Sequence, residues 1–79
     1  MSEEVLNIKI LTSILEEILS TDNLAISNDT TAAEVDGWDS LNHVRVVLKL
    51  EKVTGKKVPL RIVNRAENVG QLIHLYNSF

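Results

Sequence analysis

The stretch Val35-Asp36-Gly37-Trp38-Asp39-Ser40-Leu41 decides how this sequence folds, because it ends a long polar connection and begins a helix. Gly37 allows the backbone to turn tightly. Asp39 or Ser40 can cap the helix by accepting a hydrogen bond from a backbone N–H. A helix N-terminus also stabilises a phosphate, through its free N–H groups and its dipole. Two interpretations of Ser40 are therefore open, a helix cap or the carrier of a phosphoester.

The helix that follows is predicted to run from about Ser40 to Val53, with Gly55 as its stop signal. Its apolar residues form two sides rather than one stripe, with Val46, Val47, Leu50 and Val53 on one side and Leu41, Val44 and Leu48 on the other. Asn42, Arg45, Lys49 and Lys52 fill the arc between them. We expect a central helix that packs on its neighbours and leaves apolar surface for a partner.

Four further segments are predicted, two before this helix and two after it. An amphipathic helix spans Val5 to Leu19, and Ser2 with the two glutamates after it suits its start. Residues 20–39 form a long connection rich in turn-forming residues, which Leu24, Ile26 and Val35 attach to the core. Pro59 can open a short helix over Leu60–Arg65. Asn68 can cap a last apolar helix, although Gly70 near its start weakens that prediction slightly.

No segment shows the alternating pattern of a strand, so the predicted fold class is all-α. We expect residues 1–79 to form a single domain, a small antiparallel bundle of three main helices plus one short helix. The hydrophobic content of 44% supports a compact core, and the 4% aromatic content makes that core aliphatic. The chain has no cysteine for a disulfide or a thiolate. It has no apolar stretch of membrane-spanning length and no positively charged export signal, so a cytoplasmic setting is expected.

Charge is distributed unevenly along a chain whose net charge is −3. Residues 1–39 contain nine acidic residues and one lysine, whereas residues 40–79 contain seven basic residues and two acidic ones. The simpler interpretation is two solvated faces that attract each other weakly. The alternative is a basic patch that selects an acidic partner. Nucleic-acid binding is disfavoured, because the chain is acidic overall and no aromatic residues alternate with the basic ones.

Catalysis by the chain itself is disfavoured, and no catalytic residue is predicted. His43 lies one helical turn after Ser40, but no Gly-x-Ser-x-Gly motif or oxyanion site accompanies the pair. His43 also shares helical spacing with Val47 and Leu50, which favours a place at the edge of the core. No spacing of ligand-type residues indicates a metal site. A small hydrolase is therefore the remotest option.

The run Asp36-Gly37-Trp38-Asp39-Ser40-Leu41 resembles the attachment motif of the acyl carrier protein family, whose core is Asp-Ser-Leu. The resemblance extends over nearly the whole chain, including Val58-Pro59 before the short helix. It implies that a phosphopantetheinyl transferase moves 4′-phosphopantetheine from coenzyme A onto Ser40, with Asp39 helping to dock the transferase and cap the helix. The thiol of the arm would then carry acyl groups as thioesters, and Leu41 would contact partner enzymes that load, condense or transfer them.

One feature departs from the family pattern, since its fatty-acid carriers have a strongly acidic second helix. Here that helix carries Arg45, Lys49 and Lys52, which with Leu41 and Leu48 are the predicted partner-recognition residues. Like charge would repel enzymes that grip an acidic helix. This favours a carrier for a specialised pathway, fatty-acid-like or polyketide-like, over a housekeeping one. The alternatives are an aminoacyl or peptidyl carrier, or a helical interaction module that uses this basic face. Trp38 either marks such a specialised carrier or holds the loop on the bundle.

Overall fold

A computed structural model describes residues 5–79. This part of the chain is all-helical and contains no strand; its helices are α1 (Ile8–Leu19), α2 (Ser40–Thr54), α3 (Leu60–Val63) and α4 (Val69–Ser78), with a 3-10 turn at Ala32–Glu34. Helix α1 packs on α2 and α4, and α3 packs on α2. The predicted bundle of three main helices and one short helix is confirmed.

The start of α1 was predicted too early. The helix begins at Ile8 rather than Val5, because the side chain of Asn7 caps it by accepting the Ile10 N–H at 2.8 Å. Val5 is 68% exposed and lies before the helix. The predicted contribution of Ser2 and the glutamates beside it falls on residues 1–4, which lie outside the described residues.

The segment before α1 is attached to the end of α4 by a pair of hydrogen bonds. The Leu6 N–H donates to the Asn77 side-chain oxygen at 2.9 Å, and the Asn77 amide donates to the Leu6 carbonyl at 2.8 Å. Leu6 is buried although it lies outside any helix. Satisfying both backbone groups allows this apolar side chain to enter the core without leaving polar atoms unpaired.

The core is aliphatic, with Tyr76 as its one aromatic residue among those buried in the described part of the chain. Helix α2 contributes Val46 and Leu50, both fully buried, so one of its two predicted apolar sides is the core side. The buried cluster consists of Leu6, Leu11, Ile14, Leu15, Val46, Leu50, Val58, Val63, Val69, Leu72 and Tyr76.

The connection between α1 and α2 packs on the bundle as predicted, with Val35 buried and Leu24 and Ile26 against the core. Its backbone also meets the start of α4, where the Gly70 N–H donates to the Asn28 carbonyl at 2.8 Å. A Cβ at position 70 would lie 3.1 Å from that carbonyl oxygen. This close approach explains a glycine that helix propensity alone disfavours.

The predicted ends of the later helices differ from the structure by small amounts. Helix α2 ends at Thr54, one residue beyond the prediction, with Gly55 in the left-handed conformation at φ 73°. Helix α3 stops at Val63 rather than Arg65. The predicted cap of α4 is confirmed, because the Asn68 side chain accepts the Gln71 N–H at 2.8 Å.

Candidate functional site

Ser40 is the first residue of α2, and its side chain is exposed to solvent. The turn that precedes it depends on Gly37, whose φ of 89° is a conformation that other residues rarely adopt. The Gly37 carbonyl accepts hydrogen bonds from the Asp39 N–H at 2.9 Å and from the Asn42 side-chain amide at 2.8 Å. These bonds hold the backbone on both sides of Ser40 in place.

Asp39, rather than Ser40, caps α2. Its Oδ1 accepts the Asn42 N–H at 2.9 Å, and its backbone is extended as a cap residue requires. Within residues 5–79 the Ser40 hydroxyl has no hydrogen-bond partner. The hydroxyl is therefore free for chemistry at the positive end of the helix dipole, where a phosphate is stabilised.

A chain of hydrogen bonds links Trp38, His43 and Asn64 beside Ser40. The Trp38 indole N–H donates to Nδ1 of His43 at 3.0 Å, and Nε2 of His43 lies 3.0 Å from Oδ1 of Asn64. Since the indole can only donate, Nδ1 must accept, and the neutral ring carries its proton on Nε2, which donates to Asn64. We call this set the Trp38–His43–Asn64 chain.

The Trp38–His43–Asn64 chain shows where Trp38 and His43 lie and what they contact, which the sequence left open. Trp38 packs against the core, so it holds the loop on the bundle. His43 is half-buried, at the edge of the core as predicted. Both of its ring nitrogens form hydrogen bonds to residues other than Ser40, which leaves neither free to accept the Ser40 proton in this structure.

An open groove of about 550 Å³ lies beside Ser40, between the loop, α2 and α3. Small and apolar side chains form much of its wall, and Asp39 and Asn64 add polar atoms; the lining residues are Ala32, Ala33, Trp38, Asp39, Ser40, His43, Val44, Leu60 and Asn64. We call it the serine groove. Any group attached to the Ser40 hydroxyl would begin its path here.

The predicted partner-recognition residues gather mostly on a different surface. Arg45, Leu48, Lys49 and Lys52 line a second groove of about 690 Å³, together with Ile18, Glu51 and Gly55. We call it the basic groove. The predicted residues Ser40 and Asp39 lie in the serine groove instead. Leu41 is 64% exposed and lines neither of these two grooves.

Part of the positive charge of the basic groove is balanced by an acidic residue of the neighbouring helix α1. Lys49 Nζ lies 3.6 Å from a carboxylate oxygen of Glu17 on α1. Arg45 and Lys52 are exposed and form no ion pair with another described residue. Arg45 and Lys52 are thus more available to a partner than Lys49, a difference that sequence alone does not reveal.

Sequence reasoning missed the role of Asn64, because its contact with His43 spans 21 positions and depends on how α3 packs. Among residues 5–79 no three or more His, Cys, Asp or Glu side chains form a candidate metal site. None of the helices in that range combines the length and hydrophobicity of a membrane span.

The comparisons with known proteins agree with this geometry. A family model described as a phosphopantetheine attachment site matches residues 9–76. Among solved structures, the chain is similar to the holo acyl carrier protein from Geobacter metallireducens, determined by solution NMR. The two are 30% identical, with a TM-score of 0.78 over 89% of this chain and 80% of the other. No curated protein matches the chain.

The start of α2 fits the group that this family bears. An exposed hydroxyl without a capping role is open to esterification, and the adjoining serine groove leaves room for an arm. When bound, the arm supplies a thiol, which this cysteine-free chain lacks. Since the family model covers most of the sequence and the fold agrees, the chain belongs to the acyl carrier proteins, non-catalytic carriers of acyl groups on a covalently attached 4′-phosphopantetheine.

Proposed function

We propose that Ser40 is the residue that bears the 4′-phosphopantetheine. This proposal rests on the exposed Ser40 hydroxyl, which is not needed as a helix cap because the Asp39 side chain caps α2. The helix N-terminus favours the negative charge that a phosphodiester would place there. The Asp39 carboxylate, itself exposed beside Ser40, would be available to a modifying enzyme.

The attachment reaction would use coenzyme A as the donor and a phosphopantetheinyl transferase as the catalyst. Ser40 Oγ attacks the phosphorus that bears the pantetheine, and a new O–P bond forms. The P–O bond to adenosine 3′,5′-bisphosphate breaks, and the serine proton passes to a base of the transferase. His43 is not available as that base, because both of its ring nitrogens already form hydrogen bonds to Trp38 and Asn64.

We further propose that the carrier serves a specialised route of acyl transfer, fatty-acid-like or polyketide-like, whose enzymes present acidic surfaces. Arg45 and Lys52 support this, since both are exposed on α2 and flank Leu48, which is 56% exposed. Exposed cations around an apolar centre suit a partner with complementary charge. Partners with a basic docking surface would be repelled.

An interaction module that needs no prosthetic group is the second candidate, and the basic groove is the observation that favours it. An aminoacyl or peptidyl carrier would share the site at Ser40 and differ only in its cargo. Removing the Ser40 hydroxyl distinguishes the two classes of protein. An interaction module would still function without it, whereas either kind of carrier would not.

The test is co-expression with a promiscuous phosphopantetheinyl transferase, followed by intact-mass measurement. The wild-type chain should gain the mass of one phosphopantetheine, and Ser40→Ala should gain none. Ser13→Ala is the matched control, because Ser13 is also an exposed serine but lies on α1. It should be modified as fully as the wild type. A mass gain that persists in Ser40→Ala would place the arm elsewhere and overturn the proposal.

A further inference from the structure

Two cavities meet at the Trp38–His43–Asn64 chain. The serine groove of about 550 Å³ lies on the outer side. A smaller cavity of about 70 Å³ lies towards the core, where Val63 and Leu72 are among its walls. Trp38 and His43, together with Ala32, line both spaces. These side chains therefore form a partition between the serine groove and the smaller cavity, which reaches the core at Val63 and Leu72 and is also lined by the exposed Glu67.

Hydrogen bonds hold this partition together from three separate elements. Trp38 comes from the loop, His43 from the first turns of α2, and Asn64 from the residue after α3. An acyl chain that passed from the serine groove through this partition would have to separate His43 from at least one partner. Both Trp38 and His43 are half-buried, so their polar atoms would be left short of hydrogen bonds.

The interior also offers little room for cargo. A water molecule takes about 30 Å³ in the liquid, so the inner cavity of about 70 Å³ has the volume of only a few waters. Val63 is 1% exposed and Leu72 is 3% exposed, so the cavity reaches the packed core at these residues, whereas Glu67, which also lines it, is exposed. An extended alkyl chain would fit only if the His43 ring, which lines both spaces, were displaced so that the cavity and the serine groove joined.

We propose that the Trp38–His43–Asn64 chain closes the interior of this carrier to its cargo, so that the acyl group stays in the serine groove. The inference rests on attachment at Ser40. It assigns to Trp38, His43 and Asn64 a role in cargo specificity, with short or polar acyl groups as the class that suits an open groove. A thioester carried there is exposed to small nucleophiles whatever the length of its acyl chain.

The experiment uses the full chain loaded from acetyl- or octanoyl-coenzyme A by a promiscuous phosphopantetheinyl transferase, with loading checked by intact mass. Two readouts follow: the rate at which glutathione cleaves each thioester, and the indole N–H resonance of Trp38, which is unambiguous because the chain has one tryptophan. In the wild type, the octanoyl and acetyl thioesters should be cleaved at rates within about twofold of each other, since cargo that is rarely buried is rarely protected. The indole resonance should be the same in both loaded forms.

His43→Ala should open the partition. Cleavage of the octanoyl thioester should then become about five- to tenfold slower than cleavage of the acetyl thioester, as expected if the octanoyl group is buried for most of the time. The indole resonance should also differ between the two loaded forms. His74→Ala is the matched control, because His74 is an exposed histidine on α4 whose ring is within hydrogen-bond distance of Ser78. It should behave as the wild type. Asn64→Ala removes the hydrogen bond between His43 and Asn64 at an exposed position. It is used in place of His43→Ala if the His43 variant does not fold.

The outcomes separate this inference from the assignment of Ser40. Failure of Ser40 to accept the arm would overturn both. Normal loading with a protected octanoyl group in the wild type would overturn the partition alone. Equal cleavage rates in both the wild type and the opened variants would also overturn it, because core packing rather than the hydrogen-bonded chain would then exclude the cargo.

Discussion

The two sides of α2 differ sharply in what covers them. Val46, Leu50 and Thr54 are at most 1% exposed and face the core. On the other side Leu41, Val44 and Leu48 are 41–64% exposed. Both sides are apolar, so hydrophobicity alone does not decide which becomes interior. The core side holds the bundle together, whereas the exposed side contributes little to stability and is available to be recognised by a partner.

The largest expected effect comes from shortening a leucine on each side of α2. Leu50→Ala should lower the free energy of unfolding by about 2–5 kcal/mol, because it removes buried methyl groups and leaves a cavity. Leu48→Ala is the matched variant on the same helix and should change it by less than about 0.5 kcal/mol. Urea denaturation followed by circular dichroism measures both. Equal losses would mean that the two sides are not distinguished by burial.

An intermediate effect is expected from Tyr76, the aromatic residue on the core side of the bundle. Its hydroxyl is buried without a hydrogen-bond partner among residues 5–79. Burial, and secondarily the charge of Glu51, raises the pKa of Tyr76 to about 12. Above the ordinary tyrosine pKa of about 10 the unfolded state loses its proton first. The free energy of unfolding should therefore be intact below pH 10 and fall by about 2–3 kcal/mol as the pH rises towards 12.

Tyr76→Phe isolates this contribution, because lysines titrate in the same range in both proteins. Urea denaturation between pH 8 and 11 should show a smaller decline in stability for Tyr76→Phe than for the wild type. At neutral pH the variant should be at least as stable, since it removes an unsatisfied buried hydroxyl. Parallel pH profiles for the two proteins would argue that the Tyr76 hydroxyl is solvated.

The smallest effect on stability is expected on the exposed side. Reversing Arg45 and Lys52 to glutamate should change the free energy of unfolding by less than about 0.5 kcal/mol, and adding Lys49→Glu by at most about 1 kcal/mol through loss of its exposed ion pair with Glu17. The same charge reversals should slow the transfer of acyl groups between the carrier and its partner enzymes at low salt. Lys9→Glu, a charge reversal on α1, is the control and should leave these rates unchanged. Unchanged partner rates at low ionic strength would refute recognition through the basic groove.

Much of the helical architecture could be predicted because its signals are local. Asn68 and Gly55 mark helix ends through their own side chain or backbone, and both act as predicted. The start of α1 was missed because Val5 and Leu6 continue the apolar run. Leu6 is buried through hydrogen bonds to Asn77, which lies 71 positions away. Periodicity cannot distinguish that kind of burial from a helical one.

The candidate site shows the same division between local and distant contacts. The motif around Ser40 was evident from the sequence, but the choice between Asp39 and Ser40 as the cap was not. Both can accept a backbone N–H, and the Asp39 hydrogen bond to Asn42 is seen only in the structure. Likewise, the charge of Lys49 was evident, whereas its pairing with Glu17 depends on how α1 and α2 pack.

By itself, the sequence determined the helical fold class and the position of a serine at the start of α2, because helix periodicity, caps and turn residues act within a few positions of the chain. Tertiary structure alone decided which apolar side of α2 is buried and that Trp38, His43 and Asn64 meet. Those outcomes depend on contacts between residues far apart in the chain, which local propensities do not encode.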